Sequence, residues 1–300
     1  MTGGWYVIAN SDAGTAEDAD VALAVARLAE NGPVRLRRTA SPDELDRALD
    51  HAAGDTVVVA GGDGSLHALV EALHRREEAR TTPVGLIPLG TGNDFARGYG
   101  LPLDPTGAAA RLVAGVPRPV DLLLHDGGGV VVNAAHAGVG AEATERAAGL
   151  KVKLGRLAYP LGALLAGARA EGWSLTISVD GRPLALPASP DGGPPPPTLL
   201  VGIGNGPYIG GGTALFPGAR HDDGRLDVVV CTASGRGARA TFGVALERGT
   251  HLERDDVVVA TGTTVHISGE PVGHNVDGEL DPEVAERTYR LLAGAWRLVA

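Results

Sequence analysis

Hydrophobic and polar positions divide the chain into two stretches of different rhythm. Up to about residue 124, short apolar runs alternate with longer segments of helical period, the order expected of strands feeding crossover helices. Residues 5–9, 34–38, 57–60, 84–88 and 120–124 read as strands, and 17–30, 65–79 and 104–114 as helices. In the 65–79 segment Leu66, Leu69, Val70 and Leu73 fall on one face. Ser41 and Glu44 form a capping box ahead of another helix. Beyond residue 124 closely spaced strands take over, at 130–134, 174–179, 182–186, 198–203, 226–231, 257–260 and 263–268. Asp180-Gly181 marks a hairpin. The segments 288–292 and 295–299 read as strands returning to the first part. The pattern predicts an α/β first domain with a Rossmann-like parallel sheet over 1–122, completed by 283–300, and a β-rich second domain of β-sandwich type over 123–282.

Two strand ends carry chemistry. The run 57–60 breaks at Gly61-Gly62-Asp63-Gly64-Ser65, and the run 84–88 passes into Leu89-Gly90-Thr91-Gly92-Asn93-Asp94-Phe95. Glycines let a bulky anion approach the backbone, successive N–H groups form a concave anion site, and a following helix adds its positive end. Turns at strand ends of one α/β sheet converge on a single crevice. An aspartate inside a phosphate cradle calls for a cation or a donated proton beside it, which points to a metal-bound nucleotide. A ligand-free glycine turn is the alternative, since 45 of the 300 residues are glycine and chance pairs are expected.

GGDGSLHALVEAL and IPLGTGNDFAR together resemble the diacylglycerol kinase catalytic domain family, which includes bacterial lipid kinases and sphingosine kinases and is more distantly related to NAD kinases. The segments 205–212, 217–227 and 275–279 are similar to second-domain signatures of that family. The resemblance implies an ATP-dependent kinase acting on a lipid hydroxyl, diacylglycerol or a related amphiphile, with ATP and Mg²⁺ at the glycine turns and the acceptor coming from the second domain. It implies nucleotide contacts from Asn10, Ser11, Asp12, Thr39, Gly61, Gly62, Asp63, Gly64, Ser65, Leu66, His67, Gly90, Thr91, Asn93 and Asp94. It further implies a metal-water network of Asp63, Asp94 and Asp121, and a structural Mg²⁺ held by Asp223 with the carbonyls of Leu226 and Val228. Glu279 is its candidate general base, with Asp63 the competing candidate. Ser11 stands where the family commonly has proline, and Ala68 where it often has glutamate.

Plainer readings remain beside these. His67 caps a first helical turn as readily as it bonds nucleotide, and Asp121 has as its alternative reading a strand-edge acid facing solvent. A leucine stripe at 154–165 packs a core or, with Lys151, Lys153 and Arg156 at its end, meets a lipid surface. The proline-rich 187–197 segment is a spacer or a docking site. A soluble-metabolite kinase of NAD kinase type, and an inactive nucleotide- or lipid-binding module, are the alternative functions.

Charge and composition trim the field. A net charge of −10 argues against nucleic acid and confines membrane contact to local patches. One cysteine, Cys231 in a strand-like run, excludes an internal disulfide and reads as a buried structural thiol. No signal peptide and no apolar run of membrane-spanning length is evident, so the expectation is a cytoplasmic protein, peripheral at most at the inner face of a membrane. The partners expected are therefore a lipid substrate at a membrane surface and no nucleic acid, with a homodimer left open.

Overall fold

The computed structural model describes residues 3–11, 15–138, 172–188, 193, 195–233 and 235–300. Asp12, the 151–165 segment with its basic residues and leucine stripe, and part of the 187–197 segment lie outside the described residues. The chain forms two compact units. The first comprises Met1–Leu122, His221–Asp223 and Leu292–Ala300, and the second Leu123–Arg220 and Gly224–Leu291. The segment returning to the first unit is thus shorter than 283–300, and a three-residue turn joins it from the middle of the chain.

The first unit is built on strands β1 (Trp5–Asn10), β2 (Val34–Thr39), β3 (Thr56–Gly61) and β4 (Pro83–Pro88), all parallel in the order β2-β1-β3-β4. The end of a strand running Glu279–Val299 adds to β4 through Arg297 and Leu298. Val7, Ala9, Val58, Ala60 and Ile87 share a buried cluster with residues of α1 (Thr15–Ala29) and α5 (Pro105–Ala114). The alternate residues Ile8, Val57, Val59 and Leu86 are buried as well, as a parallel sheet covered on both faces requires. Helix α2 (Pro42–Leu49) packs beside α3 (Asp63–Arg75), which lies against β3. Helix α3 starts at Asp63 rather than Ser65 and stops at Arg75, where Arg76 closes it and Glu77 follows in a left-handed conformation. A short helix, α4 (Asp94–Tyr99), follows β4. Strand β5 (Pro117–His125) begins in this unit.

The second unit is antiparallel. Strands β7 (Ala134–Gly138), β10 (Leu200–Gly204), β11 (Leu226–Cys231), β12 (Val257–Gly262) and β13 (Thr264–Val276) order as β12-β11-β10-β7-β13. Strand β8 (Leu175–Val179) and its short partner β9 (Arg182–Pro183) join at β13. The first part of β14 (Glu279–Val299) pairs with β13, and β6 (Val130–Val131) pairs with the end of β5. Alternating residues such as Ala135, Ile177, Val201, Val228, Val265 and Tyr289 fill the core. Several sequence expectations are corrected here. The separate strands at 288–292 and 295–299 are one strand, which Gly294 crosses at a φ of 55°. The strand beginning near 263 runs on to Val276, with register shifts after Ser268 absorbing Gly269 and Pro271. A helix that the periodicity did not predict, α6 (Gly235–Glu247), covers a second cluster with Leu215, Phe216, Cys231 and Phe242. Cys231 is fully buried there, and burial pushes its thiol up to about 12, so the structural reading of that cysteine stands.

Candidate active site

In the first unit the register aligns the strand ends. Asn10 is opposite Thr39, Ala9 opposite Ala60, and Gly61 opposite Pro88, so four parallel strands finish on one edge. Nucleotides bind in such sheets outside the carboxyl edge. Asn10 and Ser11 are exposed there, Ser11 N–H donates to Thr39 O at 3.1 Å, and Thr39 is half-buried.

Beyond β3 and β4 the two glycine turns meet backbone to backbone. A Cβ on Gly90 would stand 2.5 Å from Gly62 Cα, and one on Gly62 would stand 2.9 Å from Gly90 Cα. No side chain fits between them. Leu89 N–H donates to Gly61 O at 3.0 Å and continues the pairing into the turns. Asn93 sits in the left-handed region (φ 52°, ψ 43°), and its Nδ2 donates to Gly90 O at 2.8 Å. Asn93 Oδ1 is buried and has no hydrogen-bond partner. Helix α3 has Gly62 as its N-cap and no side-chain cap, which leaves its positive end without a side-chain acceptor, as an anion-binding helix start requires. Gly64 and Thr91 are exposed, Ser65 and His67 are half-buried on α3, and Leu66 is in the core.

Asp63 does not depend on a cation for its place. Its Oδ2 accepts from Asp94 N–H at 3.0 Å and its Oδ1 from Phe95 N–H at 3.1 Å. The carboxylate of the first turn therefore braces the helix start of the second, which corrects the inference that an acid in this loop needs a metal or proton beside it. Each oxygen keeps lone-pair capacity after one such bond. Asp94 is buried at the start of α4. Asp121 is 3% exposed, so the solvent-facing reading of that acid fails. Its Oδ1 accepts from Gly294 N–H at 2.7 Å, its N–H donates to His221 O at 2.7 Å, and its carbonyl accepts from Trp296 Nε1 at 3.2 Å. Phe95 of α4 packs on Trp296 and, at 4.5 Å between centroids, on His221. Asp121, His221 and Trp296 thus back the helix that Asp63 caps, a role the sequence did not signal because its partners come from three distant segments.

Among the described residues no three His, Cys, Asp or Glu side chains cluster as a ready metal cage. Mg²⁺ in nucleotide sites takes one or two carboxylates, with waters and substrate phosphates completing its shell, and the hard oxygens of Asp63 and Asp94 beside the buried Asn93 Oδ1 fit that demand. Asp223 is exposed in the turn that leads into β11, on which Leu226 and Val228 are buried.

Glu279 is in the second unit, exposed at the first position of β14. Asp277 and Gly278, at φ 49° and 98°, form a two-residue turn between the paired residues Val276 and Glu279. Among the described residues no helix is long and apolar enough to cross a membrane.

Known proteins match along the whole chain. The diacylglycerol kinase catalytic domain family matches residues 4–125, and the family described as the YegS C-terminal NAD kinase beta sandwich-like domain matches 133–300. A protein of Xanthomonas campestris pv. campestris (strain 8004) named "Probable lipid kinase YegS-like" is 36% identical over 98% of this chain and 94% of its own. A protein of the same name from Pseudomonas aeruginosa (strain UCBPP-PA14) is 35% identical over 84% and 83%. A solved diacylglycerol kinase of Bacillus anthracis str. Sterne is 24% identical, covers 99% of this chain and 96% of its own, and superposes with a TM-score of 0.76, a likeness of fold. With an α/β diacylglycerol kinase catalytic domain, a β-sandwich-type second domain and relatives matched over nearly its full length, this chain belongs to the YegS-like lipid kinases, enzymes that transfer a phosphoryl group to a lipid.

Proposed function

We propose that this lipid kinase transfers the γ-phosphoryl group of ATP to a hydroxyl of diacylglycerol or a closely similar amphiphile, with Mg²⁺, at the inner face of a membrane. The observation that carries the nucleotide half is the contact of Gly62 and Gly90 beside the uncapped start of α3. Such a surface offers N–H groups and a helix dipole to phosphates and keeps side chains out of their way. Asn10, Ser11 and Thr39 on the same sheet edge line the reach of the nucleoside. The head group follows from the matched catalytic domain's description alone.

Phosphoryl transfer asks a protein mainly for positioning and charge neutralisation. Asp63 and Asp94 are the residues that would hold Mg²⁺, directly or through water. The ion supplies neutralisation of phosphate charge when bound. Asp63 meanwhile holds the two turns in fixed relation through its bonds to Asp94 and Phe95. The lipid hydroxyl oxygen bonds to the γ-phosphorus, the bond to the β,γ-bridging oxygen breaks, and ADP leaves. Glu279 accepts the hydroxyl proton, a role whose contribution is typically ~10²–10⁴-fold. The basic residues Lys151, Lys153 and Arg156 attract anionic lipid, at ~1 kcal/mol each near the surface.

Labelled ATP offered with diacylglycerol, sphingosine, phosphatidylglycerol and NAD, the lipids in mixed micelles, tests the substrate. Diacylglycerol should become labelled. Label in another lipid would move the head group, and label in NAD alone would remove the lipid assignment. Reversing the charges of Lys151, Lys153 and Arg156 should weaken binding to anionic vesicles and leave ATP affinity alone; unchanged vesicle binding would return that stripe to core packing.

A further inference from the structure

Two sequence signatures of the second unit, 275–279 and 205–212, converge on one backbone corner, residues 132–134 at the step from β6 into β7. The Asp277 carboxylate accepts three consecutive N–H groups there: Val132 at 2.6 Å on Oδ2, and Asn133 at 2.9 Å and Ala134 at 3.0 Å on Oδ1. Asp277 N–H donates in turn to Ala134 O at 3.0 Å, so the residue is gripped through both backbone and side chain. The same corner takes the 205–208 loop. Asn205 and Gly206 N–H both donate to Asn133 O at 2.8 Å, Asn205 Nδ2 to Val132 O at 2.7 Å, and Asn133 Nδ2 to Tyr208 O at 2.6 Å. Asn275, 1% exposed, closes the turn from its other side by accepting from Gly278 N–H at 3.0 Å.

A two-residue hairpin needs none of this to form. Asp-Gly already suits its left-handed positions, and pairing of Val276 with Glu279 fixes its register. What the carboxylate adds is a fixed address for the turn tip. A charged acceptor of three N–H groups forms bonds about twice as strong as neutral ones, and it is half-buried where water competes poorly. Glu279 is two residues along and exposed, so its backbone placement is inherited from that anchor.

We propose that Asp277 is a positioning residue for phosphoryl transfer: by clamping the 277–278 turn to the 132–134 corner, it sets where the Glu279 carboxylate stands. The proposal rests on the assignment of Glu279 as proton acceptor. An Asp277→Asn side chain keeps one oxygen for Asn133 and Ala134 but turns an NH₂ toward the Val132 N–H, donor against donor. The turn tip then shifts without losing its hairpin. A misplacement of about 1 Å in a reacting group lowers rate by up to ~10²-fold.

The test is a double-mutant cycle on the full chain, with labelled ATP and micellar diacylglycerol. Asp277→Asn should lower kcat about 10- to 100-fold with KM for ATP nearly unchanged. In a Glu279→Gln background the same change should add almost nothing, because the residue it positions is already disabled. Ile177→Val, in the core of the same unit, serves as a stability control and should leave kcat at the wild-type value. If Glu279→Gln is slow but Asp277→Asn runs at the normal rate, or its effect simply multiplies with that of Glu279→Gln, the positioning role is overturned and the base assignment survives. If Glu279→Gln keeps near-normal kcat, both fall together.

Discussion

At Asp63 the carboxylate assigned to Mg²⁺-dependent turnover is also the cap of α4, so two substitutions separate the two tasks. Asp63→Asn keeps an oxygen for one of the Asp94 and Phe95 N–H groups and should cost about 1 kcal/mol in urea unfolding, whereas Asp63→Ala loses both and should cost about 2 kcal/mol. Turnover should vanish in both. Normal turnover in Asp63→Asn would move the metal site elsewhere. Gly90 offers a purely steric test. Its added Cβ meets the Gly62 backbone, which has no side chain to swing aside, so Gly90→Ala should force the turns apart. The expected cost is about 1–3 kcal/mol of stability together with weaker ATP binding in calorimetry. An Ala variant that binds ATP normally would show that the turns need not touch.

At the scale of elements, the serine half of the capping box foreseen at Ser41 and Glu44 is present: Glu44 N–H donates to Ser41 Oγ at 3.3 Å, while Glu44 Oε2 accepts from Ala40 N–H at 2.8 Å, one residue ahead of the cap. Ser41→Ala should therefore cost about 1 kcal/mol, read as a lower unfolding midpoint with kcat unchanged. Elements whose signals are local were legible in this way. Asp180-Gly181 forms its predicted turn at φ 50° and 75°, and the parallel strands stand out as short apolar runs. Elements decided at a distance were not. Gly269 and Pro271 read as breaks, yet β14 and β8 on either side carry β13 past them, and β14 crosses Gly294 between its pairing with β13 and its pairing with β4. Glycines at 235, 237 and 243 weakened the helical signal of α6, which forms because its apolar face has Phe216 and Val257 to cover. The candidate site divides the same way. Its glycines and acids were visible in the sequence, but the hydrogen bonds that fix Asp63 and Asp277 reach partners 31 to 32 and 143 to 145 positions away.

Across the whole molecule, the second unit holds two histidines that burial keeps neutral. Desolvation lowers His136 to about 4, helped by His274, and lowers His274 to about 4, helped by the Arg287 guanidinium. The unfolded chain takes up these protons near 6.5 and the folded chain only near 4, so stability is full above 6.5 and falls as pH drops through that window. The slope should reach at most about 1.4 kcal/mol per pH unit for each histidine, measurable as urea midpoints between pH 7 and 5. His136→Gln should flatten it, and an unchanged slope would assign the acid sensitivity to other groups. One further consequence follows from the make-up of the first unit, which takes Leu292–Ala300 as part of itself. Trp296, fully buried against Phe95 and bonded to the Asp121 carbonyl, is translated only after the whole of the second unit. Synthesis at about 5–20 residues per second leaves the nascent nucleotide unit without that tryptophan for roughly ten to thirty seconds while the second unit is made. The first unit therefore cannot complete its core in the order in which it is translated.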